Sequence, residues 1–369
     1  MPAILFNHLG TSRPNDMKQR YVTLDAMRGV AALFVVARHF GGLHGVRETQ
    51  FSYLAVDLFF LLSGFVLSLS YGDRLASGMS SAEFLIRRVI RLYPLYLIGI
   101  SISIAIALFD VSSGDVHAPT MATWAAISGF GLLMLPSPTQ YFSSNIFPIL
   151  VPAWSLFFEL FVANVLFAVL RGRERIFQIA VVTVLSAVIL LLAGWLHRSL
   201  DIGATWGTFV GGFPRVGFSF FAGVLLQRWH RAHPPRLRMP SWLMLLILAL
   251  VLLPSIGGLP GLVYEYACVL FVFPALVFWG AEAVERHGWI GTALGDTSYA
   301  LYVIHYPLVV LVGRALIGTN LYPGRWAELL FFTMIVPIAY ALHRFYDEPL
   351  RAAITRWRVQ RKSHQVAAI

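Results

Sequence analysis

The chain alternates long apolar runs with short polar or basic connectors. The runs fall at 22–41, 52–71, 92–110, 152–170, 176–197, 209–228, 241–256, 262–280, 297–316 and 325–345. Most of them approach the roughly 20 residues that an α-helix needs to cross hydrocarbon about 30 Å thick. They predict an all-α polytopic membrane protein of about ten transmembrane helices. An eleventh run, 121–135, contains Gly129 and Gly131 and is followed by Pro136. It is short for a span and is expected to be re-entrant or interfacial.

Composition agrees with this pattern: 58% of residues are hydrophobic and 12% charged, and the mean hydropathy is +0.71. These values exclude an ordinary soluble domain. The net charge of +10 does not indicate nucleic acid, because the basic residues gather in short clusters between spans, where they mark cytoplasmic loops. With ten crossings and both termini inside, most of the 28 basic residues face the cytoplasm. If 121–135 crossed, the RGRER run at 171–175 would move outside. The expected organisation is a cytoplasmic N-terminal segment at 1–21, a membrane domain at 22–345, and a basic cytoplasmic tail at 346–369 lying against anionic lipid. The bilayer is the first partner, and the bacterial inner membrane the expected location. The single Cys268 excludes an intramolecular disulfide and a multi-cysteine metal site, and no metal is expected. Gly211, Gly212 and Gly217 mark close helix packing, within the chain or between chains.

Candidate chemistry comes from polar residues inside the apolar runs, since an arginine in mid-membrane costs roughly 2.5–3.5 kcal/mol on insertion scales. The first run, LDAMRGVAALFVVARHF, carries Asp25, Arg28 and His39. Eleven residues separate Arg28 from His39, so both point to nearly one face, about 16 Å apart along the axis. The expected topology puts Arg28 toward the cytoplasm, near the depth of Arg88 and Arg91 in RRVIRLYP, and His39 toward the outside. Asp57 and Glu159 are expected in the outer part, where a carboxylate pairing with His39 would fix its tautomer. Arg215 also enters its span from outside. Ser298, Tyr302 and His305 recur at four and three residues and share a helix face. A basic inner mouth suits a phosphate-bearing ligand, and an outer group of His and carboxylates suits proton transfer to a hydroxyl. Each residue also has a structural alternative. Asp25 and Arg28 have the spacing of an intrahelical ion pair, and Asp57 and Glu159 have the character of helix-to-helix hydrogen-bonding groups.

Five motifs give these residues a family context. LDAMRGVAALFVVARHF, with Arg28 and His39 at the hallmark spacing, resembles the first helix of the acyltransferase-3 family of integral membrane acyltransferases. VDLFFLLSGFVLS resembles that family's second helix, and RRVIRLYPLY its cytoplasmic basic segment. WSLFFE resembles the element that holds Trp154, Ser155 and Glu159, and SYALYVIHYPL the late helix with Ser298, Tyr302 and His305. The motifs occur in the family's order from about residue 20 to 345. The resemblance implies transfer of an acyl group, most often acetyl from acetyl-CoA, to a hydroxyl of a carbohydrate or glycolipid. Donor phosphates would sit near Arg28, Arg88 and Arg91. The thioester would reach His39, which acts as general base or transient acyl carrier with Asp57 or Glu159 orienting it. Asp25, Trp154, Ser155, Arg215, Ser298, Tyr302 and His305 would support the site or the acceptor. A rival reading from another class is a proton-coupled transporter or flippase for a lipid-linked sugar, using the same buried groups as a relay. The absence of a repeat of the Arg/His pattern in the second half of the chain counts against it.

Overall fold

A computed structural model describes residues 21–42, 50–112, 119–138, 143–171, 175–284, 288–316 and 325–367. The expected N-terminal segment therefore lies outside the described residues, apart from Tyr21. The described chain is helical, with isolated bridges only at Asn145–Thr205 and Pro240–Val284. In order the helices are α1 (Val22–Gly42), α2 (Ala55–Ala76), α3 (Ser81–Ser112), α4 (Met121–Leu132), α5 (Ala153–Val169), α6 (Ile176–His197), α7 (Gly212–Ala232), α8 (Ser241–Leu252), α9 (Gly258–Gly280), α10 (Gly288–Leu316), α11 (Arg325–Leu342) and α12 (Glu348–Ala367).

Among the described residues, seven helices are long and apolar enough to cross a bilayer. The chain is an all-α polytopic membrane protein. Side chains that it leaves exposed on α6, among them Val184, Leu185, Ile189, Leu192 and Leu196, form a face suited to lipid. The 12 residues of α4 span about 18 Å at 1.5 Å per residue, well short of the hydrocarbon thickness. This helix is tied to α3 by the Tyr93 and Tyr96 hydroxyls, which donate to the carbonyls of Leu132 and Gly131. The run expected to span at 241–256 is helical only over the 12 residues of α8, which has the same limited reach.

Packing follows from small residues where axes meet. The most extensive contacts are those of α10 with α1, α2 with α7, and α6 with α7. A Cβ at Gly64 of α2 would collide with the Phe220 carbonyl of α7, and one at Gly223 of α7 would collide with the Leu61 carbonyl of α2. Glycine at both positions lets the two backbones touch. Gly217 closes likewise on Ser186 of α6, and Gly212 on Phe158, so these glycines serve packing within the chain. A Cβ at Gly29 of α1 would come within 2.6 Å of the Leu294 Cβ on α10, which accounts for the intimacy of that pair.

Among the described residues there are three π-helical turns: Phe158–Ala163 in α5, Cys268–Val272 in α9, and His343–Asp347 between α11 and α12. Through the last of these, α11 continues into α12 as one rod. The basic tail is therefore a helical extension of the final span, and its Arg351 and Arg358 turn back toward Asp347 and Glu83.

Candidate active site

Where α1, α2, α3, α5 and α10 converge they enclose a cavity of about 130 Å³. Its walls include Arg28, Arg88, Arg91, Ser155, Glu159, Ser298 and Tyr302, contributed by four of these helices. Phe59, Phe60, Val66, Leu67, Leu92 and Leu156 make the rest of the wall largely apolar. The cations are held by carboxylates. Arg28 pairs with Asp25 at 2.8 Å, Arg88 with Glu159 at 2.8 Å, and Arg91 with Asp347 at 3.4 Å. Ser63 donates to the Glu159 carboxylate at 2.7 Å. The intrahelical Asp25–Arg28 pair and a cavity-lining Arg28 thus coexist. The Ser155 and Tyr302 hydroxyls lie 2.6 Å apart, one donating to the other, and both are within hydrogen-bonding reach of the Pro152 carbonyl. They lock α5 to α10 at the cavity wall.

One turn past Tyr302, His305 meets His39. The Nε2 of His305 is 3.2 Å from the Nδ1 of His39. Each Nδ1 also faces a carbonyl: His39 that of Val35 at 2.9 Å, and His305 that of Leu301 at 3.0 Å. A carbonyl can only accept, so both Nδ1 atoms carry hydrogen. In the neutral His305 ring, Nε2 is then a lone pair, and it accepts from the His39 Nδ1–H, which is shared with Val35. That leaves the lone pair of His39 on Nε2, the form a base or nucleophile requires. Tyr306 braces the His39 ring edge-on, with centroids 5.6 Å apart.

The expected pairing of His39 with Asp57 is replaced by another. Asp57 is bound to Arg215 at 2.8 Å, and the two side chains are 1% and 0% exposed. Arg215 also donates to the carbonyls of Ile202 and Tyr53, and Ser219 to Asp57. The Arg215 guanidinium lies over the Trp154 ring at 5.2 Å, which assigns Trp154 to this cluster. The cluster is a buried cross-link between α2 and α7. A lone buried arginine would be far costlier than a paired one, and this is why Asp57 is drawn to Arg215 in preference to an imidazole. Glu159 is likewise engaged away from His39, by Arg88 and Ser63.

Beyond His39, at the end of α1 away from Arg28, a second cavity of about 280 Å³ is lined by Arg38, Tyr53, Ser199, Asp201 and Glu265, among others. Arg38 pairs with Asp201 at 2.7 Å, and Glu265 accepts from the Leu200 amide. A third cavity, of about 380 Å³, adjoins the first and shares Arg88 and Arg91 with it. It adds Arg87 of α3 with Arg351 and Arg358 of α12. Sequence reading missed Asp201 and the two tail arginines. The signal for the latter was the spacing Asp347, Arg351, Thr355, Arg358, which lays one polar stripe along a helix. Among the described residues, no group of three or more His, Cys, Asp or Glu side chains is placed to hold a metal ion.

Comparison with known proteins matches this architecture to a family. The family model described as an acyltransferase domain covers residues 21–344. A Rhizobium radiobacter protein, protein 2 of the picA locus, is 40% identical over 185 residues, or 47% of this chain and 95% of the relative. Acyltransferase MdmB of Streptomyces mycarofaciens is 24% identical over 92% of this chain and 94% of its own length. The exopolysaccharide production protein ExoZ of Rhizobium meliloti is 28% identical over 78% of this chain and 86% of its own length. No solved structure matches the chain. The family match over nearly all of the helical core, together with Arg28 at the cavity and the His39–His305 pair farther along the same helix, makes this chain an integral membrane acyltransferase of the acyltransferase-3 family.

Proposed function

We propose that the enzyme moves an acyl group, acetyl in the simplest case, from cytoplasmic acyl-CoA to a hydroxyl of a carbohydrate or glycolipid on the other side of the membrane. The observation that carries this reading is the layout of α1. Arg28 lines the first cavity near one end of the helix, and His39, beside the Arg38 that lines the polar cavity, presents a fixed tautomer about 16 Å away along the axis. That distance is comparable to the pantetheine arm of CoA. With the donor's phosphates among the arginines, its arm would run through the narrow, mostly apolar cavity and its thioester would reach the histidines. The largely polar cavity lined by Arg38, Asp201 and Glu265, with Tyr53 and Phe51 beside them, has the mixed aromatic and hydrogen-bonding wall that a sugar ring needs. The names of MdmB, an acyltransferase, and ExoZ, an exopolysaccharide production protein, support an acyl transfer linked to a polysaccharide.

In the proposed reaction His39 Nε2 takes the proton of the acceptor hydroxyl as the oxygen attacks the thioester carbonyl. The tetrahedral adduct collapses, the C–S bond breaks, and the thiolate leaves, taking back from His39 Nε2 the proton that it removed from the acceptor. The hydrogen bond to His305 holds the ring in the required tautomer and spreads the positive charge that His39 acquires. A general base of this kind contributes about 10²–10⁴-fold to rate. An alternative course, attack by His39 on the thioester to form an acyl-imidazole that the acceptor then discharges, uses the same atom and would give ping-pong kinetics.

The test is transfer of label from radiolabelled acetyl-CoA into the glycoconjugates of membranes carrying the enzyme or its His39→Ala variant. The variant should lose transfer, and after purification it should still be stabilised thermally by CoA. Near-normal transfer by His39→Ala would refute the mechanism. Absence of any stabilisation of the wild-type enzyme by CoA would refute the donor.

A further inference from the structure

The family model ends at residue 344, yet the largest of the three cavities needs residues beyond it. This chamber, about 380 Å³, has one wall from α3, with Glu83, Arg87, Arg88 and Arg91, and the opposite wall from α12, with Arg351, Thr355 and Arg358. The helices are stapled together by ion pairs that cross the chamber. Arg358 reaches Glu83 at 3.1 Å, while Arg351 and Arg91 meet on Asp347 at 2.7 and 3.4 Å. Asp347 is completely buried, and its Oδ1 has no hydrogen-bond partner. Five arginines thus face a space whose paired carboxylates are three, Glu83 in the wall, Asp347 beneath it and Glu159 on Arg88. A cavity that converges several planar, bidentate donors and retains excess positive charge is a site for phosphate oxygens. Its shared wall with the smaller, largely apolar cavity, through Val66, Leu67, Arg88 and Arg91, joins phosphate chemistry to a space suited to an apolar chain.

We infer that the C-terminal helix is a working part of the donor site, with Arg351 and Arg358 gripping the nucleotide phosphates of acyl-CoA from the face opposite Arg87, Arg88 and Arg91. This rests on the donor reading above. It replaces the expected role of the tail, lying on anionic lipid, with a clamp over the ligand. Lipid phosphate is the other source of the same chemistry, and the experiment separates the two.

The purified full-length enzyme is placed in phosphatidylcholine nanodiscs, and its thermal midpoint is followed against CoA, against adenosine 3′,5′-bisphosphate, and against added phosphatidylglycerol. The Arg351→Gln/Arg358→Gln variant should lose on the order of 10–100-fold in affinity for CoA and for the bisphosphate, the loss expected for charge-assisted contacts. Arg361→Gln, an exposed cation stacked on Trp357, should match the wild type. Should the glutamine pair fail to fold, the Arg351→Lys/Arg358→Lys pair keeps the charge, loses the fork, and should show a smaller loss in the same direction. Equal CoA affinity in wild type and variants overturns the inference and leaves the donor reading standing. No response of the wild type to CoA overturns both. A response to phosphatidylglycerol that the variants lose, with CoA affinity unchanged, makes the chamber a lipid site and overturns the inference.

Discussion

His305 Nε2 stands 3.2 Å from His39 Nδ1, so the group that orients the candidate base is a second imidazole and not a carboxylate. A neutral partner fixes the tautomer without supplying a full negative charge. His305→Ala should therefore lower kcat by about one to two orders of magnitude, less than the ~10²–10⁴-fold expected for loss of the base itself, and leave the KM for acyl-CoA nearly unchanged. His305→Gln, whose amide oxygen can accept from Nδ1–H, should recover part of the loss. A His305→Ala enzyme with an unaltered kcat would assign the contact to packing alone.

The Asp57–Arg215 pair makes a different prediction, one of stability. Removing one member of a buried pair leaves an uncompensated charge and costs about 3–5 kcal/mol. Asp57→Ala and Arg215→Ala should each lower the thermal midpoint sharply and reduce the amount of folded protein in membranes. The combined Asp57→Leu/Arg215→Met variant should be more stable than either single change. If Asp57→Ala folded normally and only its kcat fell, a direct role of Asp57 at His39 would have to be restored.

Arg28 separates donor binding from simple pairing. A lysine at this position keeps a charge for Asp25 and loses the planar fork suited to phosphate, so Arg28→Lys should raise the KM for acyl-CoA several-fold with kcat little changed. An unchanged KM would reduce Arg28 to the intrahelical pair. Glu159→Gln should also act on KM, because its carboxylate positions Arg88 in the same cavity. A drop confined to kcat would instead place Glu159 in the chemistry.

The α2–α7 contact can be tested with a single methyl group. Gly64→Ala would drive Cβ into the Phe220 carbonyl, a backbone atom with no rotamer to escape into. Forcing the helices apart should cost about 1–3 kcal/mol and lower the thermal midpoint. Gly72→Ala is the control, since a Cβ there would meet nothing nearer than the Ser68 Oγ at 3.7 Å.

The long spans and the convergence of Arg28, Arg88 and Arg91 could be read from the sequence, because hydropathy and charge sort residues by depth. Depth does not give rotation or neighbour order. The apolar pattern puts Asp57, Arg215 and His39 all in the outer part of the membrane, but only the packing of α2 on α7 and of α1 on α10 determines that Asp57 meets Arg215 while His39 meets His305. The same pattern puts Glu159 toward the outside and Arg88 toward the cytoplasm, yet the two pair at 2.8 Å. The π-helical turn Phe158–Ala163 that contains it leaves no mark in the apolar pattern. Charge alone does not distinguish a tail helix lying on lipid from one that continues the last span and packs beside α3.

Two of the three π-helical turns contain a carboxylate that holds a cavity arginine: Glu159 for Arg88 and Asp347 for Arg91. A π turn carries one residue more than the α turn it replaces, and such bulges frequently occur at functional sites. One residue is worth about 100° of rotation, so each bulge works like a one-tooth offset between two gears on a shaft. The helix downstream of the bulge keeps the face that packing demands, while the carboxylate is turned toward the cavity arginines. Deleting a single residue within Phe158–Ala163 would remove that offset and set the two ends of α5 at odds with their neighbours, even though no side chain at the cavity had been changed.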